Sequence, residues 1–337
     1  MTKKITLALA IALLTFFLIV PFVSYRAYKS ALKEEAFKHL ITARDLLNLQ
    51  IWNYFNERHG DIDTLSKNPV IAQGFTQLSG AFNAYGLGSP EFQGAINIYQ
   101  PLMEYYVFAY GYVNIFFIDK DGNVIFSAIK EEFTGSNLLL TGKFKNSGIV
   151  QMFKRGLEDV TYEDYTWNNK INEHTAYFAA PIYDAEDLLG VLIIEIPFHH
   201  LDDMLTQRAG LGQTGEMYLV GEDGLMRSNS RFSVEPTMLK KKVDTEATRE
   251  AFRGFVGTKI TDDYRGVPVL SAYTPLNLNF IDWVLLVEID EAEAFAPIHS
   301  VERKLTIIAS IIGVIVAGYI YLTCKRYRRK NRHSVSE

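Results

Sequence analysis

With one cysteine in 337 residues, the chain has no disulfide framework and no cysteine-built zinc or iron–sulfur module. Ten prolines and 23 glycines are too few for a collagen-like or disordered chain. Signatures of catalysis are missing as well: there is no GxSxG, HExxH, Walker A or GxGxxG, and nothing calls for a cofactor. Charge of one sign is also lacking. Thirty-four Lys and Arg stand against 39 Asp and Glu, a net charge of −5, which gives no basis for nucleic acid as a partner.

What is present is unevenly distributed. Ile5 to Val23 and Leu305 to Cys324 are free of charged residues, and each approaches the roughly 20 apolar residues that cross about 30 Å of hydrocarbon. The first run is longer than the apolar core of a cleaved signal peptide. Bulky Phe22 and Tyr25 also stand where a cleavage site needs small residues, so it reads as an uncleaved anchor. Lys3 and Lys4 precede the first run, and Lys325, Arg326, Arg328, Arg329, Lys330 and Arg332 follow the second. Basic flanks mark the cytoplasmic side, so the expectation is a two-pass membrane protein with residues 24–304 outside the cytoplasm. Setting aside +2 at one end and +5 at the other leaves the external segment at −12. Cys324, at the end of the second run, reads as a buried thiol.

Between the runs, Ser24 to Arg58 has neither Gly nor Pro, and Ala36, Leu40, Ala43, Leu47, Ile51 and Tyr54 recur at intervals of three and four. This predicts a long stalk helix with one apolar stripe, packed on its own domain or on the stalk of a second subunit in a homodimer. Gly60, Gly80, Gly86, Gly88 and Pro90 predict breaks between shorter helices up to residue 110. Val113 to Ser127 then reads strand–turn–strand around Asp121-Gly122, and Gly215 to Ser228 repeats the design around Asp223-Gly224. Phe153-Lys-Arg-Gly156 is echoed by Phe252-Arg-Gly254. Ala179-Ala-Pro-Ile182 with Gly190-VLIIEI is echoed by Tyr273-Thr-Pro-Leu276 with Trp283-VLLVEI. Three matches in order predict a duplicated unit of about 80 to 100 residues with an antiparallel sheet in each copy.

These features resemble the double Cache (dCache) ectodomain of bacterial chemoreceptors, sensor histidine kinases and cyclic-nucleotide signalling enzymes. The resemblance rests on Thr214-Gly-Glu-Met-Tyr-Leu-Val-Gly-Glu-Asp-Gly-Leu-Met-Arg-Ser228 and Trp283-Val-Leu-Leu-Val-Glu-Ile-Asp-Glu-Ala-Glu-Ala-Phe295, and covers about residues 24 to 304. It implies an α+β fold: tandem PAS-like antiparallel sheets on a long N-terminal stalk helix, flanked by two transmembrane helices. The expected division is 1–23, cytoplasmic end and first span; 24–110, stalk and connecting helices; 111–205, membrane-distal unit; 206–298, membrane-proximal unit; 299–324, linker and second span; 325–337, basic tail.

The resemblance also implies a small ligand in the distal unit, facing an aromatic position in a middle strand and an acidic residue that ends the last strand. Glu195 falls at the acidic position, with Tyr165, Trp167 and Tyr177 as aromatic candidates and Phe116 on the first strand. A carboxylate facing aromatic rings suits an ammonium group through ion pairing and cation–π attraction. Amino-acid-binding members also carry an Arg and a Trp-Tyr pair after the first hairpin. Ile125 to Glu132 has neither, and Lys130 is its only cation. The expected ligand is therefore an amine, a small carboxylate or another metabolite. For each aromatic the competing reading is plain sheet packing, and for Glu195 a salt bridge or solvated strand end.

Two metal-like patterns are set aside. Asp119-Lys-Asp-Gly-Asn123 has its Gly at the fourth position rather than the sixth and Lys130 where a calcium loop needs Glu, so it reads as a hairpin turn. His199 and Asp203 are one helical turn apart with no third ligand near in sequence. About 13 residues follow the second run, without heptads or catalytic motif. The expectation is a non-enzymatic sensor that relays occupancy to a separate signalling protein. The alternatives are a non-catalytic scaffold subunit and a truncated chemoreceptor remnant.

Overall fold

The stripe on the first helix organises the molecule. In the computed structural model the backbone is described for residues 2–131, 134–140, 148–206 and 210–333. Within helices, the side chains of residues 2–14, 17–18, 299–300, 302, 309, 320, 323–324 and 326–333 fall outside the described set. Helix α1 (Thr2–Ser66) buries Leu40, Leu47, Ile51 and Tyr54, with Ala36 and Ala43 packed beside them. The stripe thus faces its own domain and contacts β-strands of both sheets described below. Gly60, an expected break, lies inside the helix because Ile62 and Leu65, both buried, hold the next turn to the same core.

Helix α2 (Pro69–Tyr85) begins where Asn68 Oδ1 accepts the Val70 N–H, with Pro in the first turn. It runs through Gly80 and stops at Gly86, whose φ of 81° suits only glycine comfortably. Helix α3 (Pro90–Tyr110) is capped by Ser89.

Strands β1 (Asn114–Asp119) and β2 (Val124–Ser127) form the first hairpin. Its turn is held by Asp119, whose Oδ1 accepts the N–H groups of Asp121 and Asn123, while its Oδ2 accepts from the Asn123 amide. The carboxylate of the calcium-like pattern is thereby used inside the turn. Helix α4 (Gly148–Gly156) follows, then β3 (Thr161–Asn168), β4 (Glu173–Asp184), β5 (Asp187–Pro197) and the short helix α5 (His199–Thr206). These strands form one antiparallel sheet in the order β2-β1-β5-β4-β3.

A second sheet is built from β6 (Glu216–Gly221), β7 (Gly257–Asp262), β8 (Pro268–Pro275) and β9 (Trp283–Asp290), with α6 (Glu246–Phe252) between β6 and β7. Its order, β6-β9-β8-β7, is that of the first sheet without β2. The second strand expected after Asp223-Gly224 is reduced to isolated bridges, Val220 to Met226 and Leu225 to Lys242. Beyond β9 the chain passes through α7 (Glu291–Ala294) into α8 (Ala296–His333).

Each sheet is covered on both faces. One face of each joins the cluster around α1. The opposite face of the first sheet packs Phe116, Ile118, Val191 and Ile193 against Ile149, Val150, Met152 and Phe153 near or on α4. The opposite face of the second packs Tyr218, Val220 and Leu286 against Ala247 and Ala251 of α6. Gly190 lets β5 lie close to β1, since a Cβ there would meet the Ile118 carbonyl oxygen at 2.2 Å and Phe75 at 2.6 Å.

Among the described residues, no helix is long and apolar enough to cross a membrane. Much of the first expected span, part of the second with Cys324, and the tail beyond Lys325 lie outside the residues whose side chains are described. On the described remainder, Phe22 and Val23 of α1 and Ile311, Val314 and Ile315 of α8 are exposed apolar side chains.

Candidate ligand-binding site

In a strand, residues two apart share a face, so Val191, Ile193 and Glu195 of β5 all look toward α4. Pairing carries that face across the sheet. Glu195 sits opposite Tyr177 on β4 and Asn114 on β1, and Phe116 sits opposite Ile193. Glu195 is 1% exposed, and three donors converge on its Oε1: Thr175 Oγ1 at 2.7 Å, Asn168 Nδ2 at 2.8 Å and Tyr177 Oη at 3.0 Å. No cation pairs with it among the described residues.

Burial raises the Glu195 pKa above the ordinary carboxylate value. The hydrogen bonds from Thr175, Asn168 and Tyr177 oppose that, and Glu131 adds to it. The Tyr177 phenol is also pushed up, first by burial and then by the Glu195 charge.

Asn114 shapes the rim. Its Nδ2 donates to Ser127 Oγ at 3.0 Å and to the Ile129 carbonyl at 2.7 Å, and its Oδ1 accepts the Ile129 N–H at 2.8 Å. This draws the segment after β2 over the end of the sheet. There Lys170 Nζ reaches Glu131 Oε1 at 2.9 Å and the Lys130 carbonyl at 2.6 Å. Gly148, at the start of α4, lies against Tyr177 and Glu163. Residues 132–133 and 141–147 are outside the described residues.

Of the residues singled out in the sequence, Glu195, Tyr177 and Phe116 come together on one face. Tyr165 and Trp167 do not join them. The β3–β4 pairing carries an extra residue between Glu163 and Thr166, which turns the rest of β3 over. Tyr165 therefore packs against Phe198 and Trp283 in the α1-side core, and Trp167 against His174, half exposed. Lys130 is exposed and takes part through its carbonyl, while the side-chain cation at this rim is Lys170.

Asn168, Thr175 and Asn114 escaped sequence reasoning. Thr175 was reachable, because it lies two residues from Tyr177 on the same strand. Asn168 was hidden by the same bulge. His199, of the second metal-like pattern, is taken up by Glu173, which meets both its backbone N–H and its Nδ1.

The bulge also aims Asp164 at the second sheet. Its Oδ2 meets Arg227 Nε at 2.7 Å and Trp283 Nε1 at 3.3 Å, and Arg227, 6% exposed, also holds Asp223. Gly221 leaves room for that guanidinium, since a Cβ would meet its Cζ at 2.3 Å. A separate cleft of about 880 Å³ opens between α2 and the β4–β5 hairpin, lined in part by Asp63, Lys67, Gln73, Asp159, Tyr183 and Asp184.

The Cache-domain family matches residues 24–298 of the sequence. No curated protein matches it. Among solved structures, the chain is similar to the ligand-binding domain of the Pseudomonas fluorescens chemoreceptor CtaA, solved with L-leucine. That match has 14% identity and a TM-score of 0.52, over 79% of this chain and 99% of that one. It is also similar to the ligand-binding domain of the Campylobacter jejuni chemoreceptor Tlp3, solved with 4-methylisoleucine, at 13% identity and a TM-score of 0.55, over 78% and 94% of the two chains. At these identities the likeness is one of fold.

Proposed function

The chain belongs to the Cache-domain family, and from that premise we propose that it senses a small ammonium-bearing molecule held against Glu195 beneath α4. One observation carries this reading. Glu195 is a buried carboxylate with no paired cation among the described residues, and the donors around it gather on a single oxygen. A buried carboxylate without a counter-ion is costly, and a cationic ligand removes that cost. Tyr177 and Phe116 add aromatic surface beside the carboxylate. The rim cation Lys170 is engaged with Glu131, which favours an amine over a ligand that needs its own carboxylate clamped.

The two apolar runs hold the chain in a bacterial inner membrane in this reading, with residues 24–304 outside the cytoplasm. Occupancy passes from the first sheet through α1 and the Asp164–Arg227 contact to β9, and from there through α8 to a separate signalling protein. Exposed Leu46, Leu49 and Trp52 on α1 support pairing of two stalk helices. Thermal-shift screening of the intact chain with amines, amino acids and short carboxylates tests the ligand class. Stabilisation by an amine or amino acid that disappears in Glu195→Ala supports it, and stabilisation by carboxylates alone contradicts it.

A further inference from the structure

The second sheet holds a pair of acids that the ligand site does not use. Glu216 of β6 lies directly opposite Glu288 of β9, and Ser271 of β8 lies opposite Glu288 on its other side. The three are 5%, 3% and 0% exposed. They share the sheet face that carries Tyr218 and is covered by α6.

The two carboxylates are provided for unequally. Glu216 Oε1 accepts from Ser230 Oγ at 2.8 Å and from the Arg231 N–H at 3.0 Å, and its Oε2 accepts from Tyr264 Oη at 2.6 Å. Glu288 Oε2 accepts from Tyr218 Oη at 2.9 Å, but its Oε1 is buried without a partner, and so is Ser271 Oγ. The charged groups near them are committed elsewhere. Asp263 pairs with Arg265, which also holds Asp290. The Arg231 guanidinium reaches the Gly215 carbonyl, and Lys241 lies over the Tyr264 ring. From α6, Ala247, Thr248 and Ala251 are buried and uncharged, and Glu250 is held by Lys259 and Tyr273. Among the described residues no cation pairs with Glu216 or Glu288.

We propose that Glu288 is a proton-binding site: it takes one proton from solvent on Oε1, and on losing it alters the junction between the second sheet and α8. A protonated Oε1 carries no charge, whereas the ionised form leaves a buried negative charge facing Glu216 across the ladder with no cation beside it among the described residues. Burial is the largest influence on Glu288 and pushes its pKa up to about 7. The hydrogen bond from Tyr218 opposes that rise, and Asp263 and Glu216 add to it. The junction is near. Asp290, two residues on, donates its N–H to Thr214 Oγ1 at 3.1 Å, and Glu293 of α7 accepts the N–H groups of Gln213 and Thr214 at 2.8 and 2.6 Å. The residues just before Glu216 are thus tied to the residues just after Glu288, at the entry to α8.

An acid whose folded pKa is raised stabilises the fold below its unfolded value, and that contribution declines as pH rises toward the folded one. For Glu288 the window runs from about 4.5 to about 7. The test uses the full chain in detergent at pH 6 and pH 8. Infrared difference spectra should show a protonated carboxyl at pH 6 that is absent from Glu288→Gln. Hydrogen-exchange protection across residues 286–296, corrected for the intrinsic rise of exchange with pH, should fall at pH 8 in the natural chain and stay level in the variant. A carboxyl signal undiminished in Glu288→Gln, or protection with the same pH dependence in both proteins, would overturn the proposal. Should Glu288→Gln not fold, Glu216→Gln decides: removing the facing charge must move the titration to lower pH, and an unmoved midpoint refutes the pairing.

Discussion

Replacing Glu195 with glutamine separates what this residue does for the fold from what it does for a ligand. Glutamine keeps the shape, and its carbonyl can accept the same three hydrogen bonds from Thr175, Asn168 and Tyr177. It removes a buried charge that burial already disfavours. Exchanging such a charge for a neutral group of equal size is neutral to stabilising, here by up to about 1 kcal/mol, or about 2 °C for a chain of this size. The raised pKa also means that the natural chain loses this residue's contribution as pH climbs past the ordinary carboxylate range, so the variant should gain on it with rising pH. Binding should move the other way. A hydrogen bond between an ammonium and a carboxylate contributes roughly 1.5–3 kcal/mol, so its loss should weaken binding by about 10- to 150-fold. The assay is paired: thermal unfolding of the ligand-free proteins from pH 5 to pH 8, and calorimetric titration at pH 7.5 with the most stabilising amine or amino acid of the screen. A variant that is several degrees less stable yet binds as well as the natural chain would refute the reasoning and make Glu195 a structural acid.

Gly190→Ala forces a methyl group against the Ile118 carbonyl and Phe75, where neither backbone nor ring can withdraw. A loss of about 3 kcal/mol or more in denaturant unfolding is expected. Phe153→Ala empties the cluster between α4 and the first sheet, where Phe153 is 1% exposed. It should cost about 3–5 kcal/mol and also weaken ligand binding, because α4 covers the Glu195 face. Arg227→Gln breaks the links to Asp164 and Asp223, whose side chains are 33% and 47% exposed and can rehydrate. The expected cost is therefore only about 1–2 kcal/mol in the denaturant midpoint.

The long N-terminal helix and the antiparallel sheets were legible because their causes are local. A stripe at three- and four-residue intervals marks a helix face wherever it packs, and Asp-Gly marks a tight turn wherever it lies. Glycine misled where packing outweighed it. Gly60 and Gly80 remain inside helices because buried Ile62, Leu65 and Leu78 hold those turns in place. In the site, Glu195, Tyr177 and Phe116 could be grouped because strand alternation is regular on β1, β4 and β5. On β3 that regularity fails at one residue, and no composition signal marks the bulge. Tyr165 and Trp167 were thereby sent to the wrong face and Asn168 was missed. Lys170 was invisible for another reason, since its partner Glu131 lies 39 positions away in sequence and is joined to it only by the folded sheet.

The central claim is that a ligand's ammonium group sits on Glu195. Its most direct test is a ligand-bound structure of the intact chain, with the most stabilising amine or amino acid of the screen. The account predicts the ammonium nitrogen within hydrogen-bond distance of a Glu195 carboxylate oxygen, between Tyr177 and the cover over the sheet. A ligand seated instead in the cleft beside Asp63 and Tyr183, or against the second sheet, would contradict it.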